Sequence, residues 1–253
     1  MTPLSFQLLI DALSTGQHQP VIDAAQRFNA ADLGEFIEQN IENTAGNSLF
    51  QKLPMALRAK VLGYISPEAQ VILTQATPLA ELAELASEMP SDERADFFNL
   101  LDESRQQQLI KHLGHQDRED LTSLLAFEEG TAGALMNTDY AAFESGISAG
   151  HAIDILRATA TDKETIYQTY VVDEHHTLIG VVSLRRLIIA PPDTIIDSLM
   201  ANGLVFAYTS TSQDEVARLI TKYDLLALPV LNTANRLLGI ITYDDAMDVI
   251  EEE

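Results

Sequence analysis

The sequence predicts an all-helical N-terminal array followed by two copies of a mixed α/β unit. Three observations carry this. Residues 1 to about 126 show helical apolar spacing with no strand pattern. After Gly130 and Gly133 the pattern changes to strands alternating with helices. Finally, one stretch occurs twice. Asp224-Leu-Leu-Ala-Leu-Pro-Val-Leu231, the turn Asn232-Thr-Ala-Asn235 and Arg236-Leu-Leu-Gly-Ile-Ile-Thr-Tyr-Asp-Asp245 form an apolar run, a polar turn and a second apolar run. Tyr170-Val-Val-Asp173, His175-His176-Thr177 and Leu178-Ile-Gly-Val-Val-Ser-Leu-Arg-Arg186 repeat the pattern 59 residues earlier. Gly180 matches Gly239, Ser183 matches Thr242, and Arg186 falls where Asp245 sits. A repeat of this kind fixes the fold class before any single element does.

The helical elements follow in order. Ser5 to Leu13 has amphipathic spacing and ends near Gly16; Val21 to Phe28 and Leu33 to Ile41 are similar. Leu53 to Ile65 carries Pro54 in its first turn, where a missing N–H is tolerated. Ser66-Pro67 and Thr77-Pro78 place a capping hydroxyl before a proline at the first helical position. Met89-Pro-Ser-Asp-Glu93 opens another helix with acids at its positive end. Glu103 to Leu113 and Gln116 to Leu125 complete the series. Helices this short bury an apolar face only by stacking, so a right-angled or superhelical array is expected.

Residues 127–136 are the join. In the first copy, 149–159 reads as a helix, 166–172 and 178–183 as strands, and 184–190 as a helix stopped by Pro191-Pro192. Ser198-Leu-Met200 echoes Ala134-Leu-Met136 and opens the second copy. That copy reads as strand 205–209, helix 213–222, strands 227–231 and 237–242, and helix 244–251.

Composition excludes several functions. There is no Cys, so thiol catalysis, disulfides and thiolate metal sites are ruled out. The net charge of −23 repels phosphate backbones and makes nucleic acid an unsuitable partner, while it attracts cations. The longest apolar run, Leu225 to Leu231, is far short of the roughly 20 residues a membrane span needs. No basic segment followed by an apolar core marks a signal peptide, which leaves the cytosol as the expected location. There is no phosphate loop, nucleophile elbow or HExxH, and no catalytic constellation, so an enzyme is not expected. His112 and His115, three apart on one helix, could form half a metal site but lack a third ligand and read as structural, and His175-His176 reads as a solvated turn.

The two β-α-β-β-α units resemble a tandem pair of CBS domains (cystathionine-β-synthase domains). The surrounding words Glu128-Glu-Gly-Thr-Ala-Gly-Ala-Leu-Met136, Glu164-Thr-Ile-Tyr167 with Tyr170-Val-Val-Asp-Glu174, and Gln213-Asp-Glu-Val-Ala-Arg-Leu219 with Lys222-Tyr-Asp224 narrow this. With the helical N-domain they resemble the cytosolic half of the MgtE family of magnesium transporters, over nearly the whole chain. The resemblance implies an N-domain at 1–126, a linker at 127–136, and CBS domains at 137–196 and 197–253. It implies a homodimer through the CBS domains, attached to a membrane pore domain of the same family at the cytosolic face of the plasma membrane. Its function would be to sense Mg2+, which bridges acidic faces of the N-domain and CBS pair and favours a closed state. A stand-alone CBS adaptor sensing adenine nucleotides is the alternative.

The resemblance also implies site residues. Asp92 and Asp245 match the N-domain and CBS carboxylates that share a bridging ion. Asp214 and Asp224 match CBS carboxylates placed at ions. Asp96 lies one turn after Asp92, and Asp244 and Asp248 form the same kind of pair on the last helix. All seven are metal candidates. Lys60 stands where the family often has an acid, which implies fewer ions. For a nucleotide such as ATP the candidates are Ser183, Arg185 and Thr242, but Arg186 replaces the ribose-holding Asp and Leu225 replaces a common aromatic. The chain ends at Glu251-Glu-Glu253, directly after the last CBS helix, where the family continues into a connecting helix and pore. That stop reads as a cut fragment or a natural stand-alone sensor.

Overall fold

A computed structural model describes residues 4–75, 77–201 and 203–252. The chain divides into two compact units: residues 1–89 with 93–119, and residues 90–92 with 120–253.

The helical region comprises α1 (Leu4–Ser14), α2 (His18–Ala25), α3 (Ala30–Gln39), α4 (Thr44–Lys52), α5 (Met55–Leu62), α6 (Pro67–Thr74), α7 (Leu79–Ser87), α8 (Ser91–Leu100), α9 (Glu103–His112) and α10 (His115–Leu124). Leu33, Ile37, Leu49, Phe50, Leu62, Leu82 and Leu85 are fully buried and form the core of the first unit. The N-cap expectation holds at Ser66, whose hydroxyl accepts from the Ala69 N–H at 3.4 Å. It fails at Thr77, because Pro78 is itself the N-cap of α7, with no side-chain bond to the helix. His112 and His115 are on different helices. His112 Nδ1 meets its own helix at the Gln108 carbonyl, and His115 pairs with Glu119, so they are not half of one site. Helix α4 was not expected from the sequence, because Gly46 and Asn47 weaken its pattern. Gly46 is required there, since a Cβ would come within 2.7 Å of the Ile37 and Asn40 carbonyl oxygens.

The helices α5 to α7 recur as α8 to α10 with an offset of 36 residues, a repeat the sequence reading does not identify. Pro54, Arg58, Ser66, Gln70 and Glu81 correspond to Pro90, Arg94, Asp102, Gln106 and Asp117. The bonds correspond too. Ser66 and Asp102 cap α6 and α9 through the Ala69 and Arg105 N–H groups. Gln70 donates to the Leu62 and Ile65 carbonyls and Gln106 donates to the Phe98 carbonyl, each closing the end of the preceding helix. Arg58 pairs with Glu81 at 2.6 Å, and Arg94 pairs with Asp117 at 3.2 Å. The two buried guanidinium groups differ in completeness. Arg94 also donates from Nε to the Ala86 carbonyl and from Nη2 to the Met89 carbonyl, tying off α7. Arg58 lies over the Phe50 ring at 4.8 Å, with Nε and Nη2 buried and without hydrogen-bond partners.

The second unit begins with the short helix α11 (Ala132–Leu135). The first copy then contains β1 (Tyr140–Glu144), α12 (Ala149–Thr159), β2 (Thr165–Val172), β3 (Leu178–Ser183) and α13 (Leu184–Ile189). The second contains β4 (Ala207–Tyr208), α14 (Gln213–Tyr223), β5 (Ala227–Leu231), β6 (Leu237–Thr242) and α15 (Tyr243–Glu252). Strand β1 was not placed by the sequence reading, because Tyr-Ala-Ala-Phe-Glu alternates weakly. β4 is shorter than the expected 205–209, since only Ala207 and Tyr208 pair with β5. Each copy forms a three-stranded sheet with the first strand parallel to the second and the second antiparallel to the third. The hairpins use the same turn chemistry. Asp173 accepts from the His175 and Thr177 N–H groups, and Asn232 accepts from Ala234 and Arg236, each across a left-handed residue, His176 or Asn235. His176, expected to be merely solvated, also meets the Tyr140 hydroxyl through Nε2 at 3.0 Å.

The copies share a core of Tyr170, Val172 and Leu178 from the first and Ala227, Leu231, Leu237 and Ile240 from the second. They also exchange their leading segments. Asn137, ahead of β1, pairs with Ile240 of the second copy, its N–H donating to the Ile240 carbonyl at 2.7 Å and its carbonyl accepting at 2.9 Å. Ala201, ahead of β4, donates to the Val181 carbonyl of the first. Gly239 and Gly180 admit these segments. A Cβ at Gly239 would lie 2.7 Å from the Asn137 oxygen, and one at Gly180 would strike the Met200 side chain.

The unequal arginines give a stability prediction. Arg94→Met removes the Asp117 pair and two helix-end bonds, so it should lower the unfolding free energy by about 3 kcal/mol. Arg58→Met trades a guanidinium with two buried, unmatched donors for an apolar chain, so it should cost about 1 kcal/mol or less. Urea unfolding of both variants measures the difference, and equal losses would contradict this account.

Candidate cation site

The last turn of β6 feeds directly into α15, and this places three oxygen-bearing side chains together. Thr242 and Asp245 have capping-box spacing, and the Thr242 N–H donates to Asp245 Oδ2 at 3.1 Å. The Thr242 hydroxyl lies 2.5 Å from Asp244 Oδ1 and 2.6 Å from Asp245 Oδ2. A hydroxyl carries one hydrogen. It can therefore serve only one of these carboxylates, which leaves an anionic oxygen pressed against another oxygen. An added proton or a cation would relieve that contact.

A second set of side chains is built around Asn137, which is fully buried. Its Nδ2 donates to Asp92 Oδ1 at 2.9 Å and to Glu164 Oε2 at 3.1 Å. Its Oδ1 accepts from the Asp139 N–H at 2.7 Å and from the Ser91 hydroxyl at 3.2 Å. Ser91 Oγ in turn accepts from the Thr138 N–H at 2.8 Å. Residues 90–92, which open α8, belong to this second compact unit.

Electrostatics join the two sets. Glu164 has its pKa raised, first by loss of water around the carboxyl and then by repulsion from Asp245, Asp244 and Asp139, with the Asn137 hydrogen bond opposing. The residue as a whole is exposed, so solvent screens these repulsions. Asp245 is also raised, by burial first. The two Thr242 bonds work against this, and Asp244 and Asp248 add to it. Both shifts come first from burial and then from neighbouring carboxylates, so each charged form is disfavoured where it sits. Among the described residues, no three His, Asp or Glu side chains are already gathered as a cage around one point. Asn137 and Thr242 stand between the acids.

Of the sequence candidates, Asp244 and Asp245 meet at Thr242 and Asp92 is bonded to Asn137, with Asp248 near enough to repel Asp245. Asp96 is on the same helix as Asp92, one turn on and exposed. Asp214 is in the first turn of α14, and Asp224 caps its other end in a left-handed conformation. Ten residues of helix, about 15 Å, separate them, so they do not meet each other. Lys60 is exposed on α5. Among the nucleotide candidates, Ser183 caps α13 by accepting from the Arg186 N–H, and Arg185 is exposed. The Arg186 Nη1 donates to the Leu199 and Met200 carbonyls at 2.7 and 2.9 Å, which ties it to the chain's own backbone beside Ser183. A cavity of about 520 Å³ is on the α14–α15 face, lined by Asp214, Arg218, Lys222, Val249 and Ile250.

Sequence reasoning missed Asn137 and Glu164. A usable signal lay in the repeat. Asn137 corresponds structurally to Ala201, and Asp245 corresponds to Arg186. The copies therefore diverge at both positions that line the same crevice.

These features define a tandem CBS module with an all-helical domain ahead of it. Family models agree: "MgtE intracellular N domain" matches residues 28–130, and "CBS domain" matches 132–193 and 196–252. The magnesium transporter MgtE of Thermus thermophilus is 40% identical over 79% of this chain and 45% of its own length. That of Bacillus subtilis is 29% identical over 81% of this chain and 48% of its own. This chain thus spans about half the length of these curated relatives. Two solved structures superpose on it: the cytosolic domain of the Mg2+ channel MgtE in complex with ATP (TM-score 0.89, 35% identity, 96% of this chain and 98% of that one), and the soluble part of a magnesium transporter (TM-score 0.92, 30% identity, 98% and 97%). The chain belongs to the MgtE family of magnesium transporters and consists of its N domain and CBS pair. Among the described residues no helix is long and apolar enough to cross a membrane.

The raised carboxyls set a pH dependence. Their folded pKa values lie above the unfolded ones, so the folded state holds these protons more tightly. Their contribution to stability is greatest below the ordinary carboxylate range, near pH 4, and is lost as pH rises through the folded values. Asp173 and Asp197 have the opposite sign: backbone and side-chain hydrogen bonds lower them, and they destabilise only on acidification below that range. Without divalent cations, the melting temperature should therefore fall as pH rises above the ordinary carboxylate range of about 4. Glu164→Gln should flatten that fall. A variant profile parallel to the wild type would contradict the assignment.

Proposed function

We propose that this region is the Mg2+ sensor of a magnesium transporter, with Asp92 and Asp245 as its principal carboxylates. The observation that carries the reading is the convergence of Asp92, Glu164, Asp244 and Asp245 on two neutral side chains, with one hydroxyl hydrogen for two carboxylates at Thr242. A bound Mg2+ supplies the positive charge these oxygens lack. Asp92 is carried on a helix of the N-domain and Asp245 on a CBS helix, so a state that keeps both at one ion binds Mg2+ better than a state that separates them. That difference in affinity shifts the population toward the closed form. The remaining acids Asp96, Asp214, Asp224, Asp244 and Asp248 offer further or outer-sphere positions, and Lys60 reduces their number.

The same reading includes a homodimer through the CBS domains and attachment to a membrane pore at the cytosolic face. Ile188 and Ile189 on α13 and Ile250 on α15 are exposed apolar residues that a second copy would cover. ATP is the weaker ligand for this chain. Although one relative was solved with ATP, Arg186 here is bonded to the backbone beside Ser183.

A Mg2+ titration followed by thermal melting and small-angle scattering tests the proposal. At ten times the dissociation constant, one site adds about 1.4 kcal/mol, or roughly 3–6 °C for a chain of this size. The particle should become more compact. Asp92→Ala should abolish both responses. A wild-type protein unchanged by millimolar Mg2+ would refute the reading.

A further inference from the structure

We propose that Asn137 is the positioning residue of this site, and that its amide holds Asp92 to Glu164 when no cation is present. The inference rests on the Mg2+ reading above and concerns how that site is kept assembled. Asn137 uses its full bonding capacity, with two donors to two carboxylates and two lone pairs for Ser91 and Asp139. No other uncharged side chain of this size both donates twice from one atom and accepts twice at another. The Asp92 and Glu164 oxygens, each within about 3 Å of one nitrogen, lie at most about 6 Å apart. That spacing is what a hydrated ion spans when carboxylates hold its waters rather than the metal itself. The amide occupies the place, and has the partial positive charge, of such a water shell. Its backbone pairing to Ile240 fixes the nitrogen relative to β6 and hence to Asp244 and Asp245. The other crevice has the opposite arrangement. There Ala201 pairs with Val181 but has no side chain to offer, and Arg186 fills the space with a permanent cation. Only the crevice with Asn137 is left to respond to an added one.

Asn137→Asp is the informative change, because it keeps the shape and the Oδ1 acceptor while turning the two donors into an anionic oxygen. In the whole 253-residue chain, it should lower the metal-free melting temperature. Saturating Mg2+ should restore the wild-type value, with a titration midpoint at least about tenfold tighter, since one more carboxylate faces the ion. Asn137→Ala should weaken the midpoint several-fold, because the amide link between Asp92 and Glu164 is then lost. A purely structural asparagine would give the same loss of melting temperature with and without Mg2+ and an unchanged midpoint in both variants, and that result overturns the proposal. Should Asn137→Ala fail to fold, the isosteric Asp variant decides alone. The wild type and Asp92→Ala serve as controls. If the wild type ignores Mg2+, the sensor reading falls and this inference with it. If the wild type responds, Asp92→Ala does not, and the Asn137→Asp midpoint is unchanged, only the role of Asn137 falls.

Discussion

The exchange of leading segments between the two CBS copies is the constraint on which the rest of the second unit depends. Asn137 is bonded in both directions to Ile240, and Ala201 donates to Val181, so neither copy completes its crevice with its own residues. Two glycines make this possible by leaving no Cβ where the segments cross. Once the crossing is fixed, the amide of Asn137 is anchored beside Thr242, and Asp92, Glu164, Asp244 and Asp245 follow. A shared apolar core, with Tyr170 fully buried in it, makes the pair one body and keeps the crossing in register.

Electrostatics then divide the two crevices. Each copy supplies a hydroxyl at the end of its last strand: Ser183 caps α13 with it, while Thr242 turns it toward the carboxylates of Asp244 and Asp245. Three residues on, one has Arg186 and the other Asp245. The arginine finds backbone carbonyls and satisfies itself. The aspartate finds other carboxylates, and its protonated form gains at the expense of its charged one. A single exchange of charge thus turns two crevices of common descent into one that is internally satisfied and one that is short of positive charge.

Much of this was legible in the sequence. The 59-residue offset predicted both hairpins down to their turns, because Asp173 and Asn232 perform the same local bonding and local bonding leaves a local signature. Family resemblance points to the acids Asp92 and Asp245; the structure sets Asp92 against Asn137 and Asp245 against Thr242. What was not legible is instructive. Glu164 has no local signal as a site acid, since its neighbours come from 25 to 81 residues away in the chain. Asn137 carries no charge, and its importance comes from burial and from four simultaneous bonds, which no spacing rule reveals. Strand β1 alternates too weakly to be seen, and the 36-residue helical repeat is masked because only about one residue in five is identical between its copies. The expectations for Thr77 as a cap and for His112 with His115 on one helix failed for the same reason: helix ends are decided by a proline or a turn one or two residues away.

The helical repeat has a further implication for how the N-domain comes apart. Arrays of stacked repeats hold together through neighbours, so their stability is distributed along the chain and not concentrated in one core. The two repeats here are fastened unequally. The guanidinium of Arg94 closes the α7 end with two backbone bonds, while Arg58 leaves two of its nitrogens without partners. Loosening should therefore begin at α5, around the unmatched Arg58, and stop where Arg94 fastens the end of α7 to α8, the helix that presents Asp92. Amide hydrogens of α5 would exchange before those of α8, and the segment that carries Asp92 would be among the last parts of the domain to lose its shape.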